Sequence, residues 1–203
     1  MAYRECLLIV ETQEATMPSA QHETSGFVLT DAGMLALWDT AWFSDVVDYD
    51  IWELRLLDDE EMNGHITAGA IVPIKVGNAG GGWSVLVRVG TAEEPAELTG
   101  REARYEIAAG GPYLLISTGD VRFSGLEAIG VDLLDTALAP SLPSGRYMVR
   151  VHRLDWAAEP DSRKDSGEPM PHALTDFVVL VSPERGRPDY QMCIEPFPPL
   201  PQH

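Results

Sequence analysis

The sequence is poor in basic residues, and in lysine above all. Lys75 and Lys164 are the only lysines among 203 residues, and 14 basic residues stand against 32 acidic ones, which gives a formal charge of −18. Proteins bind nucleic acid, a polyanion, largely by neutralising its phosphates with Lys and Arg. The composition therefore argues against a nucleic-acid partner and allows a basic protein partner, whose association the negative field would accelerate.

Cysteine and long apolar runs are also scarce. Cys6 and Cys193 lie near opposite ends of the chain, and two cysteines in a chain of this length do not make a disulfide framework. Whether they pair is left open. The apolar run Leu7 to Val10 is far too short for a signal-peptide core, and Ile107 to Gly119 is broken by glycines and a proline. We predict a cytoplasmic protein without membrane contact.

The sequence also lacks the common catalytic motifs. GNAGGGW has no Lys-Ser or Lys-Thr ending and precedes an apolar strand-like segment, and no G-x-S-x-G occurs. DDEEMNGH, Asp58 to His65, holds contiguous acids, whereas calcium loops alternate their ligands and zinc sites use several His or Cys. We therefore predict a solvated charged turn there, no metal, no cofactor and no assigned catalytic residue. Enzymatic activity itself stays open.

What the sequence does contain is a series of short apolar segments separated by Gly, Pro, Ser and Asp. With 45% hydrophobic and 23% charged residues, the composition is that of a globular protein. The pattern predicts a mainly β chain, an antiparallel β-sandwich with few or no long helices, in one domain over residues 1–203. The predicted strands are YRECLLIVE, GFVLT, VVDYDIWELRLL, GAIVPIKVG, GWSVLVRVG, ARYEIAAG, GPYLLISTG, DVRFSGLEAIGVDL, GRYMVRVHRLDW and DFVVLVSP.

The segments between the predicted strands differ in character. GNAGG predicts a hairpin between GAIVPIKVG and GWSVLVRVG, because consecutive glycines permit a tight turn. DAGMLALWDTAW fits a strand or a short helix. The polar residues 12–25 predict an exposed loop or arm, residues 157–175 a mobile loop, and the Pro-rich residues 196–203 an extended tail.

Carboxylates beside tryptophans give the first candidate site. On a strand, Asp48, Asp50 and Trp52 would project from one face, and such a face could contact the Lys and Arg of a partner around an aromatic anchor. The predicted partner-binding residues are Asp48, Asp50, Trp52, Asp58, Asp59, Glu60, Glu61 and Trp156.

The stretch SLPSGRYMVRVHRLDW gives the alternative site. Its alternation predicts that Tyr147, Val149 and Val151 face the core, and that Arg150 and His152 face the other way. Together with residues of the following loop, these two side chains could form a small-ligand or acid-base site under that loop. The residues of this alternative are Arg150, His152, Asp155 and His172.

The order of three segments carries a family resemblance. YEIAAGGPYLLIS, then LPSGRYMVRVHRLDW, then DFVVLVSP resembles the closing half of the ComJ-like family of bacterial competence nuclease inhibitors, over Tyr105 to Pro183. The shared motif is Leu142, Pro143, Gly145 and Tyr147. The resemblance implies a β-sandwich and an acidic protein that docks on a nuclease or another basic effector, and it carries over no catalytic residue.

Two functional hypotheses follow from these observations. The first is an acidic, non-enzymatic binding protein of inhibitor or immunity type, with a basic protein as its partner. The alternative is a small-ligand-binding protein or hydrolase-type enzyme with its site around His152 and residues 157–175. A homodimer is compatible with both.

Overall fold

The computed structural model describes residues 22–77, 80–130, 137–186, 188–194 and 197. The strands of this part of the chain are β1 (His22–Thr30), β2 (Met34–Asp39), β3 (Ile71–Lys75), β4 (Gly81–Val89), β5 (Glu106–Ser117), β6 (Val121–Gly125), β7 (Gly145–Leu154) and β8 (Phe177–Pro183). Its α-helices are α1 (Tyr49–Leu56), α2 (Asp59–Ala68) and α3 (Gly100–Arg104). The prediction of a mainly β chain without long helices is therefore confirmed.

The strands form two sheets. One has five strands in the order β1-β4-β8-β7-β5, and the other has three in the order β3-β2-β6. Within the five-stranded sheet β4 and β8 run parallel, from the pair Val85 and Phe177 to the pair Val89 and Val181. The prediction of an antiparallel arrangement is wrong at this pair: β8 lies between β4 and β7, antiparallel to β7 and parallel to β4.

The predicted hairpin of β3 and β4 is also wrong. β3 pairs with β2 in the three-stranded sheet, whereas β4 pairs with β1 and β8 in the five-stranded sheet. The connection that contains the glycines therefore carries the chain from one sheet to the other. Both segments do form strands, so the pattern of short apolar segments identified them correctly and only their partners were misassigned.

Two helices replace a predicted strand and a predicted turn. VVDYDIWELRLL contains all of α1, and DDEEMNGH forms most of α2. Asp48 begins α1 by accepting a hydrogen bond from the backbone N–H of Ile51, and Asp58 begins α2 by accepting from those of Glu60 and Glu61. Asp48 and Asp50 therefore do not share the face of a strand.

Other predicted strands and loops differ from the structure mainly in their bounds. GFVLT is the end of a longer β1 that starts at His22, so the predicted loop of residues 12–25 is wrong at its last residues. Two predicted strands merge into β5, which has register shifts against β7. The first predicted strand and most of the tail lie outside the described residues. The mobility of residues 157–175 stays a prediction.

The main core draws on both sheets and on the first two helices. Its largest fully buried side chains include Trp38 of β2, Tyr113 of β5 and Phe177 of β8. Tyr147, Val149 and Val151 of β7 are buried in the same cluster, as their alternation predicts. None of the helices among the described residues has the length and apolarity that crossing a bilayer requires.

A second, smaller cluster covers the opposite face of the five-stranded sheet. It contains Leu154, Val178 and Leu180, with Leu98 and Leu174 packed against it. The segment before α3 and the end of the loop after β7 thus cover a sheet face that would otherwise be open to solvent.

A buried ion pair lies on this covered face. Both residues are 4% exposed, and Arg88 of β4 donates two hydrogen bonds of 2.8 Å to the carboxylate of Glu102 in α3. Burial alone would raise the pKa of Glu102, but the hydrogen bonds from Arg88 and Thr99 outweigh it and lower the pKa below its usual range. The pair joins α3 to the sheet.

Removal of one partner of this pair should be costly. Glu102→Ala leaves the guanidinium of Arg88 buried without its main acceptor and should lower the free energy of unfolding by about 3 kcal/mol. Denaturant unfolding measures this quantity. Lys164→Ala, which removes an exposed pair with Glu168, is the control and should have a much smaller effect. Equal effects of the two substitutions would contradict the assigned role of the buried pair.

Candidate functional site

The negative charge is concentrated in the first part of the described chain. Residues 22–77 contain eleven acids and two bases, a net charge of −9, whereas residues 137–186 contain seven acids and six bases, a net charge of −1. The helical pair α1 and α2 lies within the first range. The excess of acidic over basic residues is therefore larger in the first range than in the second.

Eight of these acids are exposed and lie close together in the chain. The only base between residues 45 and 61 is Arg55, which forms an ion pair with Asp45. We call this surface the acidic face. Its carboxylates belong to Asp45, Asp48, Asp50, Glu53, Asp58, Asp59, Glu60 and Glu61.

The helix termini explain how so many acids are tolerated in one place. Asp48 and Asp58 are the N-caps, and Asp50, Asp59 and Glu60 lie in first helical turns. Carboxylates at these positions accept backbone N–H groups or face the positive end of the helix dipole, and both arrangements are stabilising. The carboxylates of Asp48 and Asp58 are thus fixed in place by local structure.

Large apolar side chains are exposed in the same span. Val47, which precedes the N-cap of α1, Leu54 within α1 and Leu57 at its C-cap are 67%, 68% and 50% exposed. We call these three residues the apolar stripe. Five of the nine large apolar side chains that are exposed in the described ranges fall between Trp42 and Leu57. Clustered apolar exposure beside polar residues is typical of an interaction surface.

Trp52 does not belong to this exposed surface. It is 6% exposed, and its indole Nε1 donates a 3.1 Å hydrogen bond to the carbonyl of Leu126. Because α1 turns it inward, Trp52 offers little aromatic surface to a partner. Tyr49, 64% exposed and stacked on Trp52 with ring centroids 5.5 Å apart, presents the aromatic surface instead.

Trp156 is also used within the chain. Its indole Nε1 donates to the carboxylate of Asp176 at 2.9 Å, and the guanidinium of Arg163 lies 5.7 Å from its ring centroid. It follows β7, away in sequence from the acidic face. We therefore leave Trp156 out of that surface.

One half-buried histidine connects the two helices. His65 of α2 accepts a 3.5 Å hydrogen bond from Nε of Arg55 in α1, and its ring lies 5.0 Å from that of Phe43. Burial, and then the charge of Arg55, lower the pKa of His65 below the ordinary histidine value. Protonation of this imidazole therefore opposes the packing that supports the acidic face.

A buried carboxylate positions the chain just before α1. Asp39, fully buried at the end of β2, accepts hydrogen bonds from the N–H of Ala41 at 3.1 Å, the N–H of Thr118 at 2.6 Å and the hydroxyl of Thr118 at 2.8 Å. It caps the 3₁₀ helix Thr40–Phe43 and ties it to the turn between β5 and β6. A cleft of about 480 Å³ opens beside this 3₁₀ helix.

The four residues of the alternative site do not meet in the structure as one site. His152 is 9% exposed; its Nδ1 lies 2.6 Å from Oε1 of Glu106, and its Nε2 is shielded from solvent without a hydrogen-bond partner. Arg150 and His172 are exposed, and Asp155 caps the short 3₁₀ helix Trp156–Ala158. The carboxylate of Asp155 accepts a hydrogen bond from the N–H of Ala158.

The loop after β7 does border a cavity of about 500 Å³. Leu174 and Thr175 line it together with Arg88 and Arg101, and none of the four predicted ligand-site residues is part of its lining. Both guanidiniums are held by carboxylates, Arg88 by Glu102 and Arg101 by Glu159. Within the described part of the chain, no three His, Cys, Asp or Glu side chains are grouped so as to hold a metal ion.

Comparisons with known proteins give a likeness of fold. No protein-family model matches the sequence, and no curated protein matches it with significance. The structure is similar to that of crocagin biosynthetic gene J, with 12% identity, a TM-score of 0.54, and coverage of 82% of this chain and 99% of that one. It is also similar to ComJ from Bacillus subtilis, described as an inhibitor of the DNA degrading activity of NucA, with 10% identity, a TM-score of 0.45, and coverage of 82% and 100%. The resemblance stated from the sequence is thus confirmed as a structural one.

The first prediction from this site concerns Asp39. Asp39→Ala removes the acceptor of three hydrogen bonds in a buried position and should lower the free energy of unfolding by about 3 kcal/mol. Asp39→Asn keeps one acceptor oxygen, and its free energy of unfolding should lie between those of the parent protein and Asp39→Ala. Asp165→Ala, at an exposed aspartate, should stay within about 0.5 kcal/mol of the parent protein. Denaturant unfolding distinguishes these values, and an Asp39→Ala protein as stable as Asp165→Ala would refute the role of the carboxylate.

The second prediction concerns pH. Because the pKa of His65 is lower in the folded protein than in the unfolded chain, the unfolded chain binds this proton first as the pH falls below about 6.5. Stability should therefore fall between about pH 6.5 and the lowered pKa, and less so in His65→Gln, which can still accept from Arg55. Melting temperatures from pH 8 to pH 5 measure this. At pH 8 the imidazole is neutral, so the values there report only the substitution itself; parallel profiles at lower pH would disprove the prediction.

Proposed function

We propose that this chain is an acidic, non-enzymatic binding protein that docks on a basic protein through the acidic face, in the manner of an inhibitor or immunity protein. The observation that carries the proposal is the density of exposed carboxylates in and around α1 and α2, together with the exposed apolar stripe in the same span. The two kinds of group have complementary roles in association, because charge speeds and orients encounter while apolar contact supplies affinity.

The surface has the composition expected of such an interface. Leu54 and Leu57 are 68% and 50% exposed. Their burial against a partner would remove apolar area from water. Asp48 and Asp58 are held by backbone hydrogen bonds, so their carboxylates lose little conformational freedom on binding. A partner with Lys and Arg around an apolar centre fits this surface.

A nuclease is a partner class of this chemistry. Proteins that bind nucleic acid present clustered Lys and Arg, and an acidic face with fixed carboxylates would compete with phosphates for that cluster. The resemblance to ComJ-like proteins implies the same class of partner. The proposal also includes two finer points: that the two sheets pack face to face as a β-sandwich around their common core, and that the protein acts in the cytoplasm.

Capture of the partner from a lysate of the source organism at low and moderate salt tests the proposal. We expect one basic protein to be retained at low salt and released as the salt rises, because added ions screen the attraction. A variant carrying Asp50→Asn, Glu53→Gln, Glu60→Gln and Glu61→Gln should retain that protein at least tenfold less, since each lost charge pair weakens association and the two N-caps stay intact.

The matched control removes the same number of charges elsewhere. Glu93, Glu94, Glu97 and Asp165 are exposed acids outside the acidic face, and their amide variants change the net charge equally. This control should retain the partner nearly as well as the parent protein does. If both quadruple variants lose it equally, net charge alone acts and the acidic face is not the docking surface; if neither loses it, the proposal is wrong.

A further inference from the structure

The cleft beside the 3₁₀ helix Thr40–Phe43 is lined by both apolar and polar groups within an acidic neighbourhood. Its volume of about 480 Å³ lies within the range typical of ligand pockets. Trp38, Ala41, Phe43, Val46 and Val47 line it, with two hydroxyl side chains and a glycine. An occupant of this space would exchange water for contact with apolar groups.

The floor of the cleft is rigid. Trp38 and Phe43 are each 1% exposed and meet edge to face, with centroids 5.8 Å apart and planes at 79°. The indole Nε1 of Trp38 donates inward to Ser124 Oγ at 3.0 Å. The polar atom of this tryptophan is thereby satisfied inside the protein, and the hydrogen bonds of Asp39 hold the 3₁₀ helix above it. The cleft is preorganised, which lowers the cost of filling it.

The cleft is continuous with the surface described above. Val47 both lines the cleft and begins the apolar stripe, and it is 67% exposed. Asp45 and Asp48 flank Val46 and Val47 in the chain and are exposed. A segment that filled the cleft would therefore bring its neighbouring residues against carboxylates, and positive charge there would be favourable.

We propose that the cleft is the anchor pocket of the acidic face and receives one aromatic side chain, from a partner segment with Lys or Arg on both sides of it. This inference rests on the proposed function and adds the chemistry of the partner segment. Aromatic side chains dominate the affinity of interfaces when they enter preformed pockets at the interface centre. The surrounding carboxylates then select segments in which basic residues flank the aromatic one.

Two synthetic peptides test the inference without a known partner. One has a central tryptophan flanked on each side by a glycine, a lysine and an arginine, and the other has alanine at the centre. The tryptophan peptide should bind about tenfold more tightly, as burial of an aromatic ring predicts. Calorimetry or fluorescence anisotropy gives the affinities, and amide shifts in NMR spectra should include Ala41, Ser44 and Val47.

Variants that fill the cleft make the test specific. Ser44→Phe should reduce the tenfold preference to about one while leaving the binding of the alanine peptide unchanged, and Ala41→Phe is a second variant with the same expected result. Ser166→Phe places the same side chain at an exposed serine in the loop after β7 and should keep the preference. Circular dichroism confirms that each variant is folded.

The outcomes separate this inference from the proposed function. Equal affinities of the two peptides for the parent protein, both falling with salt, would overturn the anchor pocket and leave the proposed function standing. A preference that survives in both folded cleft-filling variants would also overturn it, as would the absence of binding at millimolar peptide. The proposed function itself is judged by capture of the partner and by the two quadruple variants.

Discussion

The arrangement of the acidic face depends on one buried carboxylate. Asp39 lies at the end of β2 in the three-stranded sheet, and Thr118, its main hydrogen-bond donor, follows β5 of the five-stranded sheet. A buried charge is tolerated only when several donors surround it, and here three donors do so. The carboxylate thus joins the two sheets and at the same time begins the 3₁₀ helix that leads into α1. The start of the exposed helical surface is set by a contact in the interior.

The carboxylates of the acidic face stabilise the helices locally, whereas their mutual repulsion destabilises the protein as a whole. Repulsion among eight exposed acids would destabilise a surface if they were placed at random. Asp48 and Asp58 instead cap the two helices, and most of the others lie in first turns, where the helix dipole favours a negative charge. Acidic residues at the starts of helices therefore suit both helix capping and the proposed attraction of a basic partner, so the two properties do not conflict.

The sequence predicts the strands better than it predicts their partners. Alternation identifies β7 and its inward side, because period-two burial is a local property, and a short continuous apolar run identifies β8, whose first six residues are all buried. The partners of β3, and the parallel pairing of β4 with β8, are non-local and leave no local signal. The helices were missed for another reason: Val47, Tyr49 and Ile51 alternate by chance, while Trp52 and Leu56 at helical spacing form the buried side. Asp58 followed three residues later by Glu61 matches a helix-start pattern and could have revealed α2.

The candidate residues separate by whether the fold already uses them. Arg88, Glu102 and Asp176 carry groups typical of functional sites, yet each is held by partners inside the chain. His152 is buried against Glu106 with its other nitrogen shielded, and residue type alone does not reveal that the fold encloses this side chain. Residue type identified the acids of the acidic face, but the exposure of the apolar side chains before, within and after α1 is known only from the structure. The fold therefore adds what composition cannot: the exposed apolar side chains beside the carboxylates, on which the proposed docking surface rests.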